Sequence, residues 1–92
     1  LMWREYDVGC GVADLVFKDS KDRFLIVEVE LTARESSIGQ ICKLHKCFCD
    51  KHGLPLESVR KAIVAVFIKG GVVDACLSAN IEFYLLKAYR LA

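Results

Sequence analysis

Three carboxylates, Asp14, Glu28 and Glu30, sit where their types and spacing could do chemistry. They lie on either side of the polar stretch DSKDR, which separates two apolar runs and is expected to turn the chain between two strands. Side chains alternate faces along a strand, so Glu28 and Glu30 share a face. A hairpin turn centred on Lys21 sets Phe17 opposite Leu25, Val16 opposite Ile26 and Asp14 opposite Glu28. Residues opposed in this way have Cβ atoms about 4.5–5.5 Å apart. Two ionised carboxylates at that separation repel, and the pKa of one rises. A hard divalent cation removes the repulsion. Magnesium binds through one or two carboxylates, several waters and substrate phosphates, and can activate a water or stabilise a leaving oxygen. The plain alternative is that Glu28 and Glu30 face solvent on an edge strand, where charge deters aggregation.

The elements that must carry these groups follow from pattern. Arg4–Tyr6 reads as a short strand, and Asp7–Gly11 turns through two glycines. Val12–Lys18 and Phe24–Leu31 form the hairpin, the latter dense in β-branched residues. On this third strand Leu25, Val27, Val29 and Leu31 make an apolar face expected to pack on a helix. Phe24, Ile26, Glu28 and Glu30 run from core into a cleft. A helix follows, with Ser37 as N-cap and Gln40 completing a capping box. Its buried stripe is Ile38, Ile41, Cys42, His45, Phe48 and Cys49, and Gly53 with Pro55 ends it. Ala62–Ile68 is an unbroken apolar run, as in a strand covered on both faces. A short helix near Val72–Ala79 and a strand at Ile81–Leu86 complete the order βββαβαβ. That order predicts one α/β domain over residues 1–92, a mixed β-sheet flanked by helices.

Composition limits the function classes. With 54% apolar and 27% charged residues the chain is an ordered protein rather than a disordered tail. Its formal charge of +1 lacks the basic footprint of a protein that holds nucleic acid by electrostatics alone. Affinity for a polyanion must then come from local patches, a divalent ion, a homodimer or a further domain. No apolar run approaches the roughly 20 residues of a membrane span, and no basic-then-apolar signal segment opens the chain. Five irregularly spaced cysteines in that context predict reduced thiols and a cytoplasmic location.

Other constellations compete. Cys42, His45, Cys49 and His52 are zinc-type ligands on one helical face, but along a straight helix they span about 15 Å, too far to enclose one ion. Burial of these cysteines is the better reading. Trp3, Tyr6, Phe83, Tyr84 and Tyr89 could stack on bases, although sheet packing explains most of them. Arg34, Lys43, Lys46 and Lys51 could line a phosphate track or simply form a solvated helix face.

The stretch GVADLVFKDSKDRFLIVEVELTARESSIGQICKL resembles the core of the PD-(D/E)XK nuclease superfamily, the restriction-endonuclease-like fold, and is most similar to its RecB-type and archaeal endonuclease members. Their pattern has a glycine-led Asp strand, a turn, a strand ending in acid-x-Lys, and a helix opening with Gln. Asp14, Glu28 and Gln40 stand at those positions. VRKAIVAVFIKGG, the short helix and IEFYLL resemble the strand–helix–strand that closes such a core. The resemblance implies Mg2+ (or Mn2+) held by Asp14 and Glu28, Gln40 positioning phosphate or solvent, and phosphodiester hydrolysis, with DNA as the substrate. Two departures stand out. Glu30 occupies the place of the family's lysine, where it would orient or deprotonate water, with Lys43 a candidate to supply the missing positive charge. The usual helix before the first strand is also absent, so the chain is expected to be a fragment or to take that element from a partner. A nuclease-fold module that has lost catalysis and binds nucleic acid or a protein is the rival expectation.

Overall fold

The computed structural model describes residues 1–86; Tyr89 lies outside them. The chain runs β1 (Trp3–Asp7), β2 (Val12–Lys18), β3 (Phe24–Ala33), α1 (Glu35–His52), a single 3-10 turn (Leu56–Ser58), β4 (Arg60–Ile68), α2 (Val72–Ser78) and β5 (Glu82–Leu85). One sheet holds the strands in sequence order, β1-β2-β3-β4-β5. The first three pair antiparallel, and β3–β4 and β4–β5 pair parallel across the two helical connections. This is the expected mixed α/β sheet with βββαβαβ order. None of the described helices is long and apolar enough to cross a membrane.

The hairpin register is the expected one: Phe17 pairs with Leu25 and Val16 with Ile26. Its turn is fixed by Asp19, whose carboxylate accepts the backbone N–H groups of Lys21 and Arg23 at 2.9 Å each. Those bonds, led by the one from Arg23 and joined by Arg60, hold Asp19 down to about 2 despite some desolvation.

The packing face is the reverse of the one expected. Both helices lie on the face of Phe24 and Ile26: the Phe24 ring meets Phe48 of α1 edge-on at 5.2 Å, and Ile26, Ile41, Leu44, Phe48, Ile63, Val72 and Cys76 form one buried core. On the other face Val27 and Ala62 are buried outside that core, while Val29 and Leu31 stay 47% and 70% exposed. The helices therefore flank one side only among the described residues, and β4 is not covered on both faces. Its apolar run reflects two apolar faces, of which only one carries helices.

The start of α1 also differs. The helix begins at Glu35 with Arg34 as N-cap, and Ser37 is the third helical residue. The Ser37 hydroxyl accepts the Arg34 N–H at 3.0 Å, so Ser37 caps from inside the helix and Gln40 has no capping role. The other end is as expected, with Gly53 in the left-handed conformation at φ 64° and Pro55 beyond it.

Candidate active site

The acid cluster forms at a break in strand alternation. Glu5 of β1 has φ 46°, a conformation L side chains rarely adopt. Around it Trp3 and Tyr6, three residues apart, stack with ring centroids at 4.3 Å, which regular alternation would forbid. Across the ladder Ala13 and Val16, also three apart, are both fully buried in the core. Ala13 is thus not on the opposite face from Val16, as simple parity requires. Asp14 sits in the irregular step between them.

At that step the backbone ladder of β2 and β3 ends, with Leu15 opposite Val27 as its last pair. Side chains replace it. The Asp14 carboxylate accepts the Val29 N–H at 2.7 Å, and the Asp14 N–H donates to the Glu28 carboxylate at 3.4 Å. Each acid therefore satisfies the backbone of the other's strand, which holds the two carboxyl groups together. Asp14 and Glu28 are brought together as the hairpin register predicts.

Glu28 is buried, only 7% exposed, between core Ile26 and half-buried Glu30 on the helix-covered face. Burial first, then the Asp14 charge and a hydrogen bond to its carboxyl, push Glu28 up to about 7; the Glu30 charge adds to this. No lysine or arginine among the described residues forms an ion pair with Asp14, Glu28 or Glu30. The pair's charge is left uncompensated. Among the described residues no group of three or more His, Cys, Asp or Glu side chains converges to hold an ion. Glu30 thus stands beside the pair without closing a three-acid cage.

The remaining residues divide. Gln40 is exposed in the second turn of α1 and takes no part in its cap, and Lys43, about one turn on, is exposed as well. Lys46 is bound to Asp50 at 2.6 Å, and Lys51 donates to the Asp7 carbonyl and lies over the Tyr6 ring. Neither is free to track phosphate. The zinc-type set is dispersed: buried His45 bonds the Val59 carbonyl at 2.8 Å, while His52 bonds the Tyr6 hydroxyl and packs on Phe48. Desolvation lowers His45 and raises the Cys49 thiol, which leaves both neutral and inert.

One covalent feature has no signal in the sequence. Cys10, in the loop before β2, forms a disulfide with Cys47 of α1, so the expectation of five reduced thiols is corrected. Cys42, Cys49 and Cys76 remain thiols. Five cysteines admit many pairings, and only the loop lying on the helix selects this one.

No family model and no curated protein matches the sequence. Solved structures do match in fold. A repair endonuclease from Pyrococcus abyssi superposes with a TM-score of 0.81 at 21% identity, over 94% of this chain and 37% of that one. EndoMS in a complex with dsDNA gives 0.81 at 20% identity over 98% and 37%, and EndoMS in its apo form gives 0.75 at 22% over 97% and 38%. The fold is that of these endonucleases' matching portion. The chain spans under two-fifths of the length of each.

Proposed function

We propose that this chain is a metal-dependent nuclease domain that hydrolyses phosphodiester bonds in DNA. The observation that carries the reading is the Asp14–Glu28 pair, two facing carboxylates with no cationic partner, one of them buried and held near 7. That the matching structures are repair endonucleases, one of them bound to dsDNA, supports it.

The donor chemistry fits Mg2+ or Mn2+: two hard carboxylates with no enclosing third ligand suit an ion that keeps its waters and takes substrate phosphate as a further ligand. When bound, such an ion supplies charge neutralisation at the phosphate and a more acidic water. The protein's own groups do the rest. The Val29 N–H fixes one Asp14 oxygen and leaves the other available. Glu28 would hold the ion as its carboxylate, because a ligand must be deprotonated. Glu30, half-buried two residues on, would orient or deprotonate the attacking water. Gln40, free of the cap, is available to a phosphate or solvent molecule.

Glu30 in place of the family's lysine favours a second reading, a module that binds nucleic acid without cutting it. One experiment separates the two. Manganese binding is followed by calorimetry and cleavage of end-labelled duplex DNA is scored, for the parent, Asp14→Ala and Glu28→Ala. Binding and cleavage that vanish in both variants support the nuclease. Metal-dependent DNA binding without cleavage selects the inactive module. Cleavage retained in both variants refutes the site.

A further inference from the structure

The sheet face turned away from the helices is apolar and, among the described residues, uncovered. β3 presents Leu25, Val27, Val29 and Leu31 to it, and β4 adds Ala62 and Val64 in register with Val27 and Val29. Val29, Leu31 and Tyr84, the β5 partner of Val64, remain exposed. The strands β3, β4 and β5 pair in parallel, and parallel strands occur almost only in sheets covered on both faces. Five strands about 4.8 Å apart, the longest of 10 residues, make a flat face of roughly 500–600 Å². Side-chain relief raises that toward the ~800 Å² per partner of a stable dimer. An apolar patch of this size marks an interaction surface.

The charges at its rim say what fits it. Arg4, Leu15, Val27, Ala62 and Glu82 are register partners in succession, so they form one row across all five strands. The row carries a cation at the β1 edge, an anion at the β5 edge and only apolar groups between. Arg4 is exposed and forms no ion pair among the described residues. Glu82 is charged, because the Arg60 guanidinium holds its carboxyl below the usual carboxylate range. A two-fold axis along β3, the central strand, lays β1 of one copy over β5 of the other, and Arg4 over the partner's Glu82. An axis along the row instead sets Arg4 over Arg4 and Glu82 over Glu82. Only the first pairs opposite charges.

We propose that this face is the interface of a symmetric homodimer, two copies stacked sheet on sheet about a two-fold axis along β3, with Arg4 of each beside the partner's Glu82. The same patch serves both copies, as a two-fold contact requires. Sheets stacked in this way lie about 10 Å apart with their side chains interdigitated. The apolar centre supplies affinity, and the two rim pairs set the orientation. Leu31, on β3, lies beneath the axis and meets its own copy. Glu28 lies on the opposite, helix-covered face, so the contact leaves the acid pair of each copy open. The dimer does not depend on the nuclease reading.

The test is sedimentation equilibrium of the 92-residue chain from low to several hundred micromolar. The parent should pass from the mass of one chain to that of two and no further. Leu31→Glu sets two carboxylates against each other at the axis and should remain a monomer. Leu31 is exposed in the single chain, so the circular dichroism of this variant should match that of the diluted parent. Leu31→Gln, polar without the charge, should weaken the dimer at least about tenfold and keeps the test open should the glutamate variant not fold. Arg4→Glu leaves the apolar centre intact and makes both rim pairs repulsive. It should weaken the dimer by roughly tenfold at low salt and by less at high salt. A parent that stays monomeric throughout overturns the dimer and leaves the face to a different polypeptide. A dimer of equal strength in the parent and both folded Leu31 variants overturns this interface. A dimer lost in Leu31→Glu but indifferent to Arg4→Glu overturns the axis.

Discussion

Replacing Glu28 by Gln should make the metal-free protein more stable at neutral pH, and the structure sets how much. Glu28 is 7% exposed and faces Asp14 with no cation near, so its carboxyl is pushed from an ordinary 4.5 to about 7. Below 4.5 the group is protonated whether the chain is folded or not, and it costs nothing. As pH rises from 4.5 to 7 the unfolded chain releases its proton first, so the folded state is progressively disfavoured; above 7 the full penalty is present. At about 1.4 kcal/mol per pH unit, the span corresponds to about 3 kcal/mol. Gln has the same shape, still accepts the Asp14 N–H and carries no charge. The difference in stability between Glu28→Gln and the parent should thus be near zero at pH 4 and rise to about 3 kcal/mol at pH 8, or roughly 10–20 °C in Tm for a domain of this size. Urea unfolding in EDTA from pH 4 to 9, read by the single Trp3 stacked on Tyr6, gives the comparison directly. His45, whose burial favours its neutral form, destabilises the fold at acid pH in both proteins and cancels in the difference. Divalent metal should narrow the gap at pH 8 by stabilising only the parent. Parallel curves for the two proteins across the whole range would refute the crowded-acid reasoning and with it the argument for an ion.

Glu30→Gln keeps the shape of the side chain but cannot take a proton from water; cleavage by the variant in Mg2+ should fall by about a hundredfold or more in single-turnover assays, and an unchanged rate would show that Glu30 is not at the reacting centre. Asp19→Ala removes the acceptor of two turn N–H groups and of the Arg60 guanidinium. Because Asp19 is held down to about 2, its support is present above pH 4 and fades as pH falls through 2. The variant should unfold earlier than the parent at pH 6, with the two converging near pH 2 in an acid titration followed by circular dichroism. Phe48→Ala empties a fully buried site against Phe24 and should cost about 3–5 kcal/mol in urea unfolding; a loss under 1 kcal/mol, on the order of a surface change, would mean that the helix is not seated on this face.

What could be read from the residues was what depends on period and punctuation. The run VADLVFK, the turn DSKDR and the run FLIVEVELTA set a hairpin whose register is decided by turn position, and the pairing of Val16 with Ile26 follows. Gly53 and Pro55 end α1 for reasons of backbone geometry alone. Which face of β3 meets the helices was not decidable in the same way. Leu25, Val27, Val29 and Leu31 are apolar throughout, whereas Phe24 and Ile26 are followed by acids; by hydrophobicity the first set should be inside. The chain instead puts the mixed face under α1, where Phe24 and Ile26 pack with Phe48 and Leu44 and Glu28 is buried beyond them.

That inversion changes the chemistry of the site. An acid pair on the bare face would be solvated, with ordinary carboxylates and little demand for a counter-ion. On the covered face Glu28 is desolvated by the same core that stabilises the fold, while Asp14 escapes burial only through the irregular step opposite Glu5. Strand periodicity assumes regular alternation and so has no means of showing this step. It is what turns the Asp14 carboxylate sideways onto the Val29 amide, and without it Asp14 and Glu28 would be neighbours on a flat sheet with a ladder between them. The departure from regular structure thus does two things at once: it ends the backbone pairing and puts two oxygen donors in the gap. A Gly at position 5, which takes φ 46° without steric penalty, should preserve the gap and the acid pair. A β-branched Val at position 5, which resists positive φ, should extend the backbone ladder to Asp14 and Glu28 and take the Asp14 carboxylate off the Val29 amide, and manganese calorimetry on Glu5→Gly and Glu5→Val would show affinity kept in the first and weakened in the second.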